Sequence, residues 1–372
     1  MAKKIDLVVL FGGRSGEHAV SLRSARSVLS VIDTARYNIH QVGITRAGRW
    51  VTGGDVLAAL EHETTSHLPS AVLFGDPSRP GLYQITSTQD GEKLTLITPV
   101  DVVFPVLHGT YGEDGTLQGL LEMADVAYVG AGVLGSSAAM DKALFKDVLR
   151  ANGIPLVPYI LASRGEIETN LPAVLARAEK LSPYPLFVKP ANLGSSVGVS
   201  KCRNRSDLYE GLMDAARYDR RILIEMGINA REVEVSVLGN DHPVASVPGE
   251  INPNADFYSY AAKYLDDNSD LLIPAAISPE QIQLIQQYAV QAYLASDCAG
   301  MARADFFLDK DTGEIYLNEI NTIPGFTSIS MYPKLWEASG LSYPHLVDKL
   351  IDLALERKAE RDRTVRTYGG DA

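Results

Sequence analysis

Two carboxylates, an amide and an arginine recur at spacings that could hold a cation beside a phosphate. Arg303-Ala304-Asp305 opens an apolar run to Leu308, and Asn318-Glu319-Ile320-Asn321 closes a second run that begins at Ile315. Asp311-Thr312-Gly313 lies between them and reads as the turn of a hairpin. On adjacent antiparallel strands Asp305 and Glu319 can share one face. The period of two then puts Asn321 beside Glu319, and Arg303 beside Asp305. Such hard oxygens suit Mg²⁺, which proteins hold with few carboxylates plus substrate phosphates. A structural ion pair around Arg303 is the alternative. A second cluster begins at Lys189, which closes a short apolar strand before Asn192-Leu193-Gly194-Ser195-Ser196-Val197-Gly198. Small residues let backbone N–H groups approach an anion, and the lysine adds positive charge. Phosphate is the obvious anion, and a Gly/Ser hairpin turn is the alternative.

Two familiar patterns are discounted. Gly130-Ala131-Gly132-Val133-Leu134-Gly135 matches G-x-G-x-x-G, but a dinucleotide site expects it near the start of a βαβ unit, with an acidic residue about 20 positions on. Gly194 to Gly198 matches G-x-S-x-G. A nucleophile elbow needs a following helix and later Asp and His partners. Here Val197 to Lys201 reads as a strand, and only His242 and His345 follow. There is no G-x-x-x-x-G-K-[ST] and no H-E-x-x-H.

The elements that must position these residues are legible in outline. Ile5 to Phe11 is a near-continuous apolar run, as in a strand covered on both faces. Gly12-Gly13 ends it, helical spacing follows from Ser21 to Ile32, and strands return at Tyr37 to Ile44 and Val100 to Leu107. This is a βαβ pattern, and the turns Gly12 to His18 and His108 to Gly115 fall at the carboxyl ends of its strands, where ligands bind. Further on, Met140 to Asn152 reads as a helix, and Ile222 to Glu225 and Glu232 to Leu238 as antiparallel strands. Ile251 to Asp270 reads as a long aperiodic loop, Pro279 to Ala295 and Leu346 to Lys358 as helices, and Ala359 to Ala372 as a loose tail.

Composition bounds the rest. The 372 residues suggest two to three domains, and 46% hydrophobic with 22% charged residues is ordinary globular composition. A net charge of −12 argues against nucleic acid as a partner. No apolar run is long enough to span a bilayer, and the N-terminus lacks a cleavage pattern. Cys202 and Cys298 make neither a disulfide framework nor a Cys-rich zinc site. The expectation is a cytoplasmic α/β protein.

From Phe11 to about Leu353 the chain resembles the ATP-grasp superfamily, specifically the D-alanine–D-alanine ligases. The resemblance rests on an ordered set of stretches: Gly12-Gly13-Arg14-Ser15-Gly16-Glu17-His18, His108-Gly109-Thr110-Tyr111-Gly112-Glu113-Asp114-Gly115, Met140-Asp141-Lys142, Val188-Lys189-Pro190, Lys263-Tyr264, Arg303-Ala304-Asp305, and Asn318 through Thr327. It implies a doubly wound parallel sheet over residues 1–135, followed by two antiparallel α+β subdomains, 136–225 and 226–372, that clasp ATP. By resemblance Lys142, Lys189 and Lys263 contact phosphates, with Ser195 and Ser196 on a loop that closes over them. Glu225 and Glu232 hold the adenine and ribose. Asp305, Glu319 and Asn321 hold two Mg²⁺ ions, with Mn²⁺ able to substitute. Met226 is a departure, since some members carry lysine near the adenine.

The same resemblance implies ligation of two D-alanines through an acyl phosphate, for peptidoglycan synthesis. Glu17 would bind the first ammonium group, with His108 assisting, although a satisfied loop histidine is the alternative there. Arg303 and the Gly325 N–H would stabilise the oxyanion, and Ser330 and Met331 would bind the second carboxylate. The segment 251–270 would form a lid that brings Tyr264 toward Glu17 and Ser195. Members that make D-alanine–D-lactate carry Phe at the Tyr264 position, so Tyr264 points to the dipeptide. A homodimer is expected. A D-alanine–D-lactate ligase and a non-catalytic ATP-binding regulator are the alternatives.

Overall fold

The computed structural model describes residues 3–194, 197–252 and 270–365. The strand Ile5–Gly12 lies inside an eight-stranded sheet, with Tyr37–Ile44 on one side and Val102–Val106 on the other, all parallel. Its side chains are buried on both faces: Leu7, Val9 and Phe11 join one core, Val8 and Leu10 another. That explains the unbroken apolar run. Ala127–Tyr128 continues the parallel part beyond Val102–Val106. The expected parallel sheet is present and is extended by antiparallel strands at one edge. Beyond Tyr37–Ile44 the strands Trp50–Thr52, Ser70–Leu73, Leu82–Thr88 and Gly91–Thr98 add antiparallel. The last two are joined by a tight turn, which permits only antiparallel pairing.

The middle of the chain forms a four-stranded antiparallel sheet in the order Ser200–Cys202, Leu186–Pro190, Arg221–Met226, Tyr159–Ser163. Helices Arg164–Glu179 and Arg205–Tyr218 cover it, through Ile167, Val174, Leu208 and Leu212. A third sheet runs Asp270–Leu272, Gly249–Asn252, Ala230–Gly239, Gly300–Asp309, Ile315–Asn321, with Val244–Ala245 paired to Ala230–Gly239. Helix Pro279–Ala295 packs on it through Ile285, Ala289, Ala292 and Tyr293. The antiparallel strands expected at 222–225 and 232–238 therefore belong to different sheets.

Several boundaries differ from the sequence reading. The helix expected over Met140 to Asn152 is two helices, Val133–Met140 and Lys142–Ala151, divided at Asp141. Asp141 is extended (ψ 100°) and accepts the Leu144 N–H at 3.0 Å as an N-cap. Of the strand expected over Val197 to Lys201, only Ser200 and Lys201 are extended, in a strand that runs on to Cys202; Val197 and Gly198 form a turn. Ile251 and Asp270, the ends of the expected loop, lie on paired strands, with Asn252 opposite Asp270. The rest of that segment, 253–269, lies outside the described residues. The tail stays helical to Asp362 instead of loosening at Ala359, because Lys358 and Arg361 reach Asp125 and Glu122. This last helix packs Leu346, Val347, Leu350 and Ile351 against the N-terminal sheet, so the two ends of the chain share a core. No helix among the described residues is long and apolar enough to cross a membrane.

Candidate active site

The third sheet sets out a row of charged side chains by register alone. Glu234 stands opposite Asp305, and Asp305 opposite Glu319, a pairing set by a bulge between Asp305 and Phe306; two residues along, Arg303 stands opposite Asn321. The expected sharing of a face by Asp305, Glu319, Asn321 and Arg303 is therefore met. Arg303 donates from Nε to Asp305 Oδ1 and from Nη2 to Oδ2, both at 2.7 Å, and Nε is also 2.9 Å from Glu234 Oε2. Asn321 Nδ2 donates to Asp305 Oδ2 at 3.0 Å. The ion pair weighed as an alternative is thus present, in the same place as the oxygen cluster. The donor chemistry fits a hard divalent cation: two carboxylates and an amide on one cleft face. Among the described residues no group of three or more His, Cys, Asp or Glu is placed to hold an ion, which leaves the small donor set that Mg²⁺ completes with waters and substrate phosphates.

Lysines converge from the other side of the cleft. Lys142, at the start of its helix, donates to Leu193 O at 2.8 Å and lies 3.5 Å from Glu319 Oε2. Lys189, on the middle sheet, is 2.6 Å from Glu225 Oε2. The other oxygen of Glu225 is 2.7 Å from Nζ of Lys146, a side chain only 1% exposed. Burial opposes the ionisation of Glu225, but Lys146 and Lys189 outweigh it and bring the carboxyl down to about 2. Burial lowers the Lys146 ammonium in spite of Glu225, whereas the carboxylates around Lys189 overcome its burial and raise it. Lys146 was not anticipated. Its signal was present, since it stands four residues after Lys142 on one helix face.

At the N-terminal end Gly12 (φ 93°) turns the chain so that Glu17 precedes helix His18–Leu29; a Cβ on Gly12 would lie 2.2 Å from Ile44 O. Glu17 is buried, and a Cβ on Gly109 would stand 2.4 Å from its Oε2. His108 is also buried. Its Nδ1 lies 3.0 Å from Ile323 O and its Nε2 3.0 Å from Ser24 Oγ, which accepts the Phe326 N–H at 3.2 Å. These partners assign the proton to Nδ1, and burial, outweighing Glu17, holds the ring below its ordinary pKa. His108 therefore braces the segment around Gly325 with both nitrogens engaged, the geometry of a satisfied loop histidine. Glu113 was also unanticipated: it accepts the Gly109 N–H at 2.6 Å, and desolvation with the nearby charge of Glu17 pushes its carboxyl well above the usual range.

One cleft gathers Glu17, His108, Lys142, Lys189, Glu232, Arg303, Asp305, Glu319, Asn321 and Gly325, together with Glu113 and Glu234. Glu225, Ser330 and Met331 stand outside its lining. Glu225 pairs with Lys146 and Lys189 behind it, and Ser330 precedes helix Met331–Ala338, with its Oγ 2.8 Å from Thr327 Oγ1. Ser195, Ser196, Lys263 and Tyr264 lie outside the described residues.

A parallel-centred N-terminal sheet, joined to two antiparallel sheets that set lysines against carboxylates across a cleft, is the arrangement that the resemblance to the ATP-grasp ligases implies. Comparison with known proteins narrows the class. The family model described as the D-ala D-ala ligase N-terminus matches residues 6–131, and that of the D-ala D-ala ligase C-terminus matches 148–352. The chain belongs to the D-alanine–D-alanine ligase family. It is 49% identical over 360 residues to the D-alanine–D-alanine ligase of Heliobacterium modesticaldum, covering 97% of each chain. It is 50% identical over 363 residues to that of Thermoanaerobacter pseudethanolicus, covering 97% of this chain and 99% of that one. Among solved structures, the D-alanine–D-alanine ligase of Coxiella burnetii superposes with TM-score 0.81 at 36% identity, over 97% of both chains. The VanG D-Ala:D-Ser ligase of Enterococcus faecalis gives 0.83 at 36% identity, over 95% of this chain and all of that one.

Proposed function

We propose that the protein uses ATP to join two D-alanines into D-alanyl-D-alanine, for peptidoglycan precursor synthesis. A carboxylate is a poor electrophile, so the first D-alanine takes the γ-phosphoryl group of ATP on a carboxylate oxygen and ADP is released. The amine of the second D-alanine attacks the acyl carbon, a C–N bond forms, the C–O bond to phosphate breaks, and the amine loses its proton. One observation carries this reading: the register that aligns Asp305 with Glu319 and Arg303 with Asn321, with Lys142 3.5 Å from Glu319 across the cleft.

In this reading Lys142 and Lys189 hold the phosphates, Glu232 the ribose end, and Glu225 keeps Lys189 in place. Glu17 receives the first ammonium group. Arg303 and the Gly325 N–H face the oxyanion. Ser330 and Met331, at a helix N-terminus, receive the second carboxylate. Ser195, Ser196, Lys263 and Tyr264 complete the site by resemblance. Asp305, Glu319 and Asn321 would hold Mg²⁺, which when bound offsets phosphate charge. The residue ranges 1–135, 136–225 and 226–372 remain our division into domains, and a cytoplasmic homodimer our assembly. Phosphate release measured across D- and L-amino acids tests the function. Release that needs D-alanine and Mg²⁺, with dipeptide as product, supports it. ATP binding without turnover, or turnover with another amino or hydroxy acid alone, refutes it.

A further inference from the structure

Arg303 lies between two carboxylates on neighbouring strands. It makes two hydrogen bonds to Asp305 and approaches Glu234 Oε2 at 2.9 Å, while Asp305 Oδ2 also accepts from Asn321. Both oxygens of Asp305 are thus engaged before any cation arrives. A divalent cation at Asp305 would share that carboxylate with a guanidinium. The side chains of Arg303, Asp305 and Glu234 are 13%, 13% and 7% exposed, so water screens the repulsion weakly. The register offers relief. In the row Glu234–Asp305–Glu319, Asp305 is central, and Glu234 lies on the side away from Glu319. Glu234 already touches Arg303, so the guanidinium can pass to it with no backbone movement.

We propose that Glu234 is a positioning residue: it retains the Arg303 guanidinium when Asp305 turns to the cation. Asp305 is thereby released as a ligand while Arg303 stays in the cleft, facing the anionic transition state. The inference rests on the reading of Asp305, Glu319 and Asn321 as cation ligands. It adds a residue that binds neither cation nor nucleotide but sets how easily the cation enters.

The test is direct Mn²⁺ binding, read as free Mn²⁺ by electron paramagnetic resonance, with a non-hydrolysable ATP analogue present and no D-alanine. Glu234→Gln keeps size but not charge, so Arg303 leans harder on Asp305, and Mn²⁺ affinity falls about tenfold or more, as for other groups that orient metal ligands. Glu234→Asp keeps the charge and stays close to the wild type. In an Arg303→Met background the competition is gone, and Glu234→Gln then leaves affinity within about twofold. Wild-type affinity in Glu234→Gln overturns the inference. So does an equal loss in both Arg303 backgrounds, which would mean that Glu234 acts on the cation or the fold directly. Equal losses in Glu234→Asp and Glu234→Gln also overturn it. If the wild type itself binds no Mn²⁺ with the nucleotide analogue, the cation reading of Asp305 fails, and the inference with it.

Discussion

Glu225→Gln removes the carboxylate that pairs directly with both Lys146 and Lys189, and its cost can be worked in two ways. The Glu225 carboxyl sits at about 2 instead of its ordinary 4.5. At about 1.4 kcal/mol per decade, the folded state favours the ionised form by about 3 kcal/mol. The second route starts from Lys146, 1% exposed with its ammonium 2.7 Å from Glu225. Breaking a buried pair by removing one partner costs about 3–5 kcal/mol, because the other charge is left uncompensated. The routes agree. With an unfolding entropy of about 2 cal/mol/K per residue, a 372-residue chain unfolding as a unit loses about 4–6 °C in Tm. The pH dependence sharpens the test. A depressed carboxyl contributes stability above its unfolded pKa of 4.5, and that contribution drains away as pH falls toward about 2. Wild-type Tm measured from pH 6 to pH 2 should therefore fall more steeply than that of Glu225→Gln, and the two curves should converge in acid. A variant within about 1 °C of wild type at pH 6, with a parallel acid limb, would refute the reasoning.

Arg303→Ala should lower turnover about 10²-fold or more, as for one lost oxyanion donor, and circular dichroism should show the fold retained; wild-type turnover in the folded variant removes Arg303 from the chemistry. Gly109→Ala places a Cβ 2.4 Å from Glu17 Oε2, too close for the carboxylate to stay where it is, at a left-handed φ of 75°, so KM for the first D-alanine should rise by about tenfold. An unchanged KM would separate Glu17 from that subsite. Tyr264→Phe should raise the ratio of D-lactate to D-alanine accepted at the second position, measured by product analysis at neutral pH; an unchanged ratio argues that Tyr264 does not select the acceptor.

What the sequence made legible follows from how local each signal is. The period of two ties Arg303 to Asp305 and Glu319 to Asn321, but the register that runs from the turn would set Asp305 opposite Asn318; a bulge between Asp305 and Phe306 takes up Asn318 and brings Glu319 opposite Asp305, which no pattern in the sequence announces. The strand Ile5–Gly12 was readable because burial on both faces writes an unbroken apolar run. The strands between Trp50 and Thr98 left no such mark. Gly91–Thr98 is an exposed edge strand almost throughout, with Leu94 and Leu96 each 47% in solvent, so its pattern reports no core. Glu234 and Lys146 were missed for another reason. The four-residue spacing sets Lys146 beside Lys142 on one helix face, but its partner Glu225, like Arg303 for Glu234, is distant in sequence, and no spacing rule connects such a pair.

The charge balance shows what that distant pairing achieves. A chain of net charge −12 must present positive charge to a nucleotide without creating a general anion-binding surface. It does so by giving each cleft cation among the described residues a carboxylate within ion-pair reach: Glu319 for Lys142, Glu225 for Lys189, Asp305 and Glu234 for Arg303. An ion without the geometry of a triphosphate meets a cleft whose charges are already matched. A nucleotide that brings both phosphates and cations can exchange partners on both sides at once, lysines to phosphates and carboxylates to cations. Raising salt should therefore weaken nucleotide binding far less than it would for a bare basic patch, whose affinity falls steeply with ionic strength. Nucleotide-analogue affinity measured with saturating Mg²⁺ between 50 and 500 mM KCl checks this. A steep fall across that range would show that the lysines attract the nucleotide as unmatched charges, and the partner-exchange argument would fail.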